Sequence, residues 1–187
     1  MIELKDLTKT YGGFPAVDDL NLCVKKGEVF GFIGPNGAGK TTTIKMMGGI
    51  LEPTRGTVKI AGINIQKAPE KAKSKIGFIP DRPYLYEKLT GMEFLRFTAD
   101  LYGVSEDAFE KTALKILTDF SLADWADELV ESYSHGMKQR LIMSAALLHD
   151  PEVIIVDEPM VGLDPAAIPQ IEKRRAIGTT PRCQRNG

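Results

Sequence analysis

The chain has 187 residues, of which 43% are hydrophobic and 26% charged, with a formal net charge of -1. That length suits one α/β domain, or one core carrying a small insertion, rather than two full domains. The balanced charge supplies no global pull toward nucleic acid or an anionic membrane surface, and apolar runs such as 141–148 fall far short of the ~20 residues that span a bilayer. Cys23 and Cys183 lie in no metal-ligand or redox spacing, and residues 1–5 alternate apolar and polar without the pattern of a leader peptide. A reducing, cytoplasmic setting is expected.

In chain order, residues 2–7 and 16–24 have strand character, with a turn at Tyr11-Gly12-Gly13 between them. The apolar run Val29-Phe30-Gly31-Phe32-Ile33 predicts a buried parallel strand, and residues 41–50 predict a helix. Residues 53–56 form a turn, 57–60 and 63–65 a hairpin about Ala61-Gly62, and 76–79 another buried strand closed by Pro80. From Thr90 the period becomes helical: Met92, Leu95, Ala99 and Tyr102 share one face, as do Phe109, Ala113, Ile116, Leu117 and Phe120. The last helix of this block starts at the N-cap Ser134 and runs to His149, where Asp150-Pro151 stops it. The β-branched run Val153–Val156 then ends in Asp157-Glu158.

Three stretches carry chemistry. Gly34, Pro35, Asn36, Gly37, Ala38, Gly39, Lys40, Thr41 and Thr42 fit the phosphate-loop pattern, between a predicted strand and a predicted helix as that motif requires. Its glycines let backbone N–H groups converge on an anion, and the helix start adds roughly half a positive charge. Lys40 suits the β/γ-phosphates and the Thr41 hydroxyl suits Mg²⁺. Asp157, at the end of a hydrophobic strand, supplies a carboxylate for the Mg²⁺ shell, and Glu158 is left to deprotonate a water. Residues 133–140 form a second helix start with a small hydroxyl cap and a glycine; on spacing alone, an ordinary capped amphipathic helix explains them.

Phosphate loop, helical stretch, Ser-x-Gly, Asp-Glu strand end and the turn Gly162-Leu163-Asp164-Pro165, in that order, resemble the nucleotide-binding domain of ABC transporters over residues 1 to about 168. The resemblance implies an α/β P-loop ATPase with an N-terminal β subdomain and an inserted helical subdomain at about 90–150, binding ATP and Mg²⁺. It implies a head-to-tail dimer in which Ser134, His135 and Gly136, standing at the family signature, meet the γ-phosphate held by the other subunit. It also implies a separate permease subunit, a place at the inner face of the membrane, and stacking of adenine on Tyr11, for which a turn tyrosine packed on the sheet is the alternative. Asp164 resembles an acid that lines the dimer interface.

Two departures qualify the resemblance. Asp81 stands where the family has a Gln that contacts Mg²⁺ and the attacking water; a shorter, charged side chain favours contact through a water. With Tyr-Ser-His-Gly-Met in the signature, this is similar to bacterial drug-export ATPases. Residues 169–187 are basic and carry neither the switch histidine nor the further strands of the family, so a truncated or frame-shifted end lacking the C-terminal core strands is expected. An inactive fragment is therefore the alternative function, followed by a non-transport ATPase of the same type. A GTPase is excluded by the lack of Asn-Lys-x-Asp, and no nucleic-acid partner is expected.

Overall fold

A computed structural model describes residues 1–81 and 84–157. They divide into two compact units, residues 1–76 and those from Gly77 onward.

The first unit is a four-stranded antiparallel sheet in the order β2-β1-β3-β4 with two helices. β1 (Ile2–Tyr11) and β2 (Phe14–Val24) are longer than the alternation predicts and meet at the two-residue turn Gly12-Gly13. β3 (Arg55–Ile60) pairs with β1 on its other edge and turns through Ala61-Gly62 into β4 (Ile63–Asn64), as expected. Leu4, Leu7, Val58 and Ile60 are almost wholly buried on one face. Against that sheet lies α1 (Lys40–Met47), which buries Ile44, Met46 and Met47. A short α2 (Pro69–Lys73) follows, unpredicted because one turn with Pro at its start shows no helical period.

The predicted strand at 29–33 is corrected: residues 28–35 are irregular, with Val29 88% and Ile33 100% exposed. A strand exists only where another strand accepts and donates its ladder bonds, and none of the described strands pairs with this run. Apolarity alone did not suffice. Phe30 and Phe32 instead contact each other edge to face, ring centres 5.1 Å apart.

The second unit joins the two-stranded ladder of β5 (Ile76–Ile79) and β6 (Val153–Val156) to a helical block. α3 (Gly91–Leu101) begins with a capping box, in which the Thr90 hydroxyl accepts from the Glu93 N–H and the Glu93 carboxylate accepts from the Thr90 N–H. α4 (Glu106–Asp119) and α5 (His135–Leu147) pack on it around Leu95, Ile116, Leu117, Leu122, Val130 and Leu141, all almost wholly buried. The face read from the 3.6-residue period is the buried one in α4; in α3, Leu95 and Ala99 are buried as expected, whereas Met92 is half-buried, Tyr102 at the helix end is exposed, and Phe94, off the predicted face, is buried. α5 differs in being apolar around most of its circumference, burying eight residues from Met137 to Leu147, which marks it as the central helix of the block.

The exposed run 29–33 combines high β-propensity with no charge, a composition prone to intermolecular pairing. Ile33→Lys is expected to leave the melting temperature of this chain within about 2 °C and to raise the concentration at which it aggregates, since an exposed side chain contributes little to stability. Thermal unfolding and light scattering check this, and a drop of many degrees would show that Ile33 is buried.

Candidate functional site

In the first unit the phosphate loop is built by its own backbone. The Ala38 N–H donates to the Pro35 carbonyl at 3.3 Å, Gly37 takes φ +82°, and Gly39, at φ +78°, is the N-cap of α1. A side chain at Gly39 would meet the Ala16 carbonyl oxygen at 2.3 Å and Val17 Cγ2 at 3.0 Å. Glycine is required there twice over, for its left-handed backbone and for the close approach of β2.

Lys40 Nζ donates to the carbonyls of Gly34 at 2.7 Å and Pro35 at 2.8 Å, so the ammonium is folded back along the loop. No acidic residue lies in the first turn of α1, and the positive end of the helix is uncompensated by that turn. Thr41 and Thr42 are half-buried there. The Thr43 hydroxyl donates to the Gly39 carbonyl at 2.9 Å and is buried, which makes it structural. A backbone cradle, a helix start and one lysine together fit a phosphate chain. Sequence reasoning missed Ala16 and Val17 as the wall of this cradle, because nothing local in β2 marks them.

Tyr11 closes β1 on the same sheet, 51% exposed, with Lys9 Nζ 5.5 Å from its ring centre. About half of its surface therefore faces solvent.

In the second unit, β5 and β6 bring two of the predicted carboxylates to one end of their ladder. The Asp157 N–H donates to the Ile79 carbonyl at 2.9 Å, which sets Asp157 beside the end of β5, while Asp81 follows two residues after Ile79. They differ in setting: Asp157 is 4% exposed and Asp81 lies at the surface. Glu158 and the turn at 162–165 with Asp164 lie outside the described residues, as does the 169–187 tail.

Ser134 caps α5, its hydroxyl accepting from the Met137 N–H at 3.3 Å. Ser134, His135 and Gly136 are exposed, whereas Tyr133 just before them is buried. Its phenol donates to the Trp125 carbonyl and fills the space that a side chain at Gly91 would need, 2.2 Å away. Burial, then the nearby Glu128 and Asp127, push the Tyr133 phenol above its ordinary pKa, so it stays neutral well beyond physiological pH. The anchor is apolar and the three residues it presents face solvent. His135 and Asp81 line one groove of about 590 Å³ with Lys138, Gln139 and Ile142 of α5. On its rim the Glu87 carboxylate accepts from Lys138 Nζ at 2.6 Å, and that hydrogen bond, with the lysine charge, holds the Glu87 pKa below its ordinary value.

A family model described as ABC transporter matches residues 17–161. The uncharacterized ABC transporter ATP-binding protein YhcH of Bacillus subtilis is 44% identical over 172 residues, covering 91% of this chain and 55% of its own. The bacitracin transport ATP-binding protein BcrA of Bacillus licheniformis is 42% identical over 174 residues, 92% of this chain and 56% of its own. The chain therefore spans about half the length of the curated relatives it matches. Among solved structures, the dimeric ATP-binding cassette MJ0796 in a post-hydrolysis state with ADP and Pi aligns with a TM-score of 0.77 at 30% identity, over 92% of this chain and 80% of that one.

Gly39→Ala forces both a positive φ on alanine and a collision with backbone that cannot swing aside, and is expected to cost about 2–4 kcal/mol. Chemical denaturation measures it, and an unchanged midpoint would mean that β2 does not hold the loop.

Proposed function

Since the chain belongs to the ATP-binding proteins of ABC transporters, we propose that it binds Mg-ATP on residues 34–42 and, as a dimer, hydrolyses it to drive a separate membrane permease. The observation that carries this is the cradle itself: a pinned glycine, an uncompensated helix start and a lysine ammonium resting on loop carbonyls. Phosphate oxygens are stronger acceptors than carbonyls, so Lys40 transfers its donors to the β/γ-phosphates when nucleotide enters. Tyr11 offers its exposed ring to the base.

Mg²⁺, when bound, neutralises charge on the phosphates. The side chains that would hold it are Thr41 and Asp157, with Asp81 contributing through a water. Glu158, next to Asp157 in the sequence, would serve as the base that takes a proton from the attacking water. Ser134, His135 and Gly136 sit at a solvent-facing helix start, suited to the γ-phosphate held by a second copy. The relative MJ0796 was solved as a dimer with ADP and Pi, which supports that arrangement.

Partnership with a permease is supported by the exposed aromatic cluster Tyr84, Tyr86 and Phe97, whose rings meet edge to face at 5.4 and 5.1 Å. Exposed aromatic side chains gathered in this way suit a partner surface. Among the described residues no helix is long and apolar enough to cross a membrane, and the proposed place is the cytoplasmic face, held there by the permease. Similarity to a bacitracin transporter favours an exporter of the drug type.

Two substitutions test the assignment. Lys40→Ala is expected to weaken Mg-ATP binding about 10- to 100-fold by removing the charge on the phosphates, and equal affinities in equilibrium titration would refute the loop's role. In a protein of the relatives' full length, Glu158→Gln is expected to retain ATP while turnover falls about 10²–10⁴-fold; undiminished phosphate release would dismiss Glu158 as the base.

A further inference from the structure

Phe14 is 79% exposed, more than Tyr11, although it sits within β2. Strand register fixes where its side chain lies. Tyr11 pairs with Phe14 across the Gly12-Gly13 turn, and Lys9 pairs with Val17. Between those pairs β2 carries one extra residue, since Thr10 pairs with Pro15, so Ala16 is bulged and the alternation of β2 resets. Lys9 and Tyr11 are two apart on an unbulged strand and share a face; their partners Val17 and Phe14 share it with them. Lys9 Nζ over the Tyr11 ring agrees with that assignment. Val17 Cγ2 is the side-chain atom that comes nearest to the phosphate-loop Gly39, so this face of the hairpin is the one turned to the loop.

Two exposed aromatic residues therefore occupy opposed positions at the strand ends, on the face that flanks the phosphate cradle. Opposed residues have Cβ atoms about 5 Å apart, so the two rings together offer a surface wider than either alone. A one-ring pyrimidine is covered by Tyr11 alone, whereas a two-ring purine is wide enough to lie across both. Lys9, held by the Glu52 carbonyl at 2.7 Å, occupies the Tyr11 flank and leaves Phe14 as the open extension of the platform.

We propose that Phe14 is a second base-stacking residue, which extends the Tyr11 platform and biases this site toward purine over pyrimidine nucleoside triphosphates. It rests on the assignment of residues 34–42 to the phosphates and of Tyr11 to the base. Stacking of a base on an aromatic ring is sequence-tolerant and strong enough for its loss to be read in affinity.

The test is equilibrium titration of the 187-residue chain with Mg-ATP, Mg-CTP and tripolyphosphate. Phe14→Ala is expected to weaken ATP about tenfold, CTP by less than about threefold, and tripolyphosphate not at all. Phe14→Trp is expected to keep ATP affinity, and its indole fluorescence to quench with ATP but not with tripolyphosphate. Equal loss for all three ligands would overturn the proposal, because Phe14 would then act through the hairpin's fold. So would an unchanged ATP affinity in Phe14→Ala, or an indole signal that responds alike to ATP and tripolyphosphate. Failure of wild-type chain to bind tripolyphosphate, or indifference of that binding to Lys40→Ala, would instead refute the phosphate loop and the platform with it.

Discussion

The contact on which the nucleotide end of this protein depends is a backbone collision avoided. Gly39 lies so close to the Ala16 carbonyl that one extra carbon would sit 2.3 Å from it. This approach joins a bulge in β2 to the residue that opens α1, and through α1 it fixes the direction of the helix start and of Lys40. A flexible Gly-rich loop would otherwise spend conformational entropy each time it closed on an anion. Here the loop is held before any ligand arrives, by β2 on one side and by Lys40 on its own carbonyls.

The second unit solves a different problem, which is how to leave a helix start bare. Ser134, His135 and Gly136 are exposed, and exposed helix starts fray unless something holds them. Two devices serve: the Ser134 cap on Met137 and the burial of Tyr133 against Gly91 immediately upstream. The interior of α5 is apolar on nearly every side, so its position is set by the helical core and not by the residues it presents. The residues proposed to meet nucleotide lie on the surface of an element whose energetics lie elsewhere.

Charge in this unit is arranged locally. Glu87 with Lys138 and Lys88 with Glu131 tie the segment before α3 to α5 and to the turn before it. The hydrogen bond and charge of Lys138 lower the Glu87 pKa, and those of Glu131 raise the Lys88 pKa. Glu87 thus contributes above the pKa of an unfolded carboxylate and loses its contribution as pH falls through its own lower value. Both pairs are exposed, so salt screens them and their role is positional.

The sequence by itself determined the glycine pattern of residues 34–42, the Ser134 cap, the buried face of α4, and the Ile76–Ile79 and Val153–Val156 strands. These are local: a glycine pattern, a hydroxyl before a helix and a 3.6-residue period need no distant partner. Only the tertiary structure decided three other matters. Whether Val29–Ile33 becomes a strand depends on a neighbour to complete its hydrogen bonds, and among the described residues none does so. That Gly39 must be glycine comes from Ala16 and Val17 in β2, far earlier in the chain, whose bulge leaves no mark in composition. That Phe14 shares a face with Val17, the residue nearest the loop, hangs on that same bulge, because one added residue reverses every side chain beyond it.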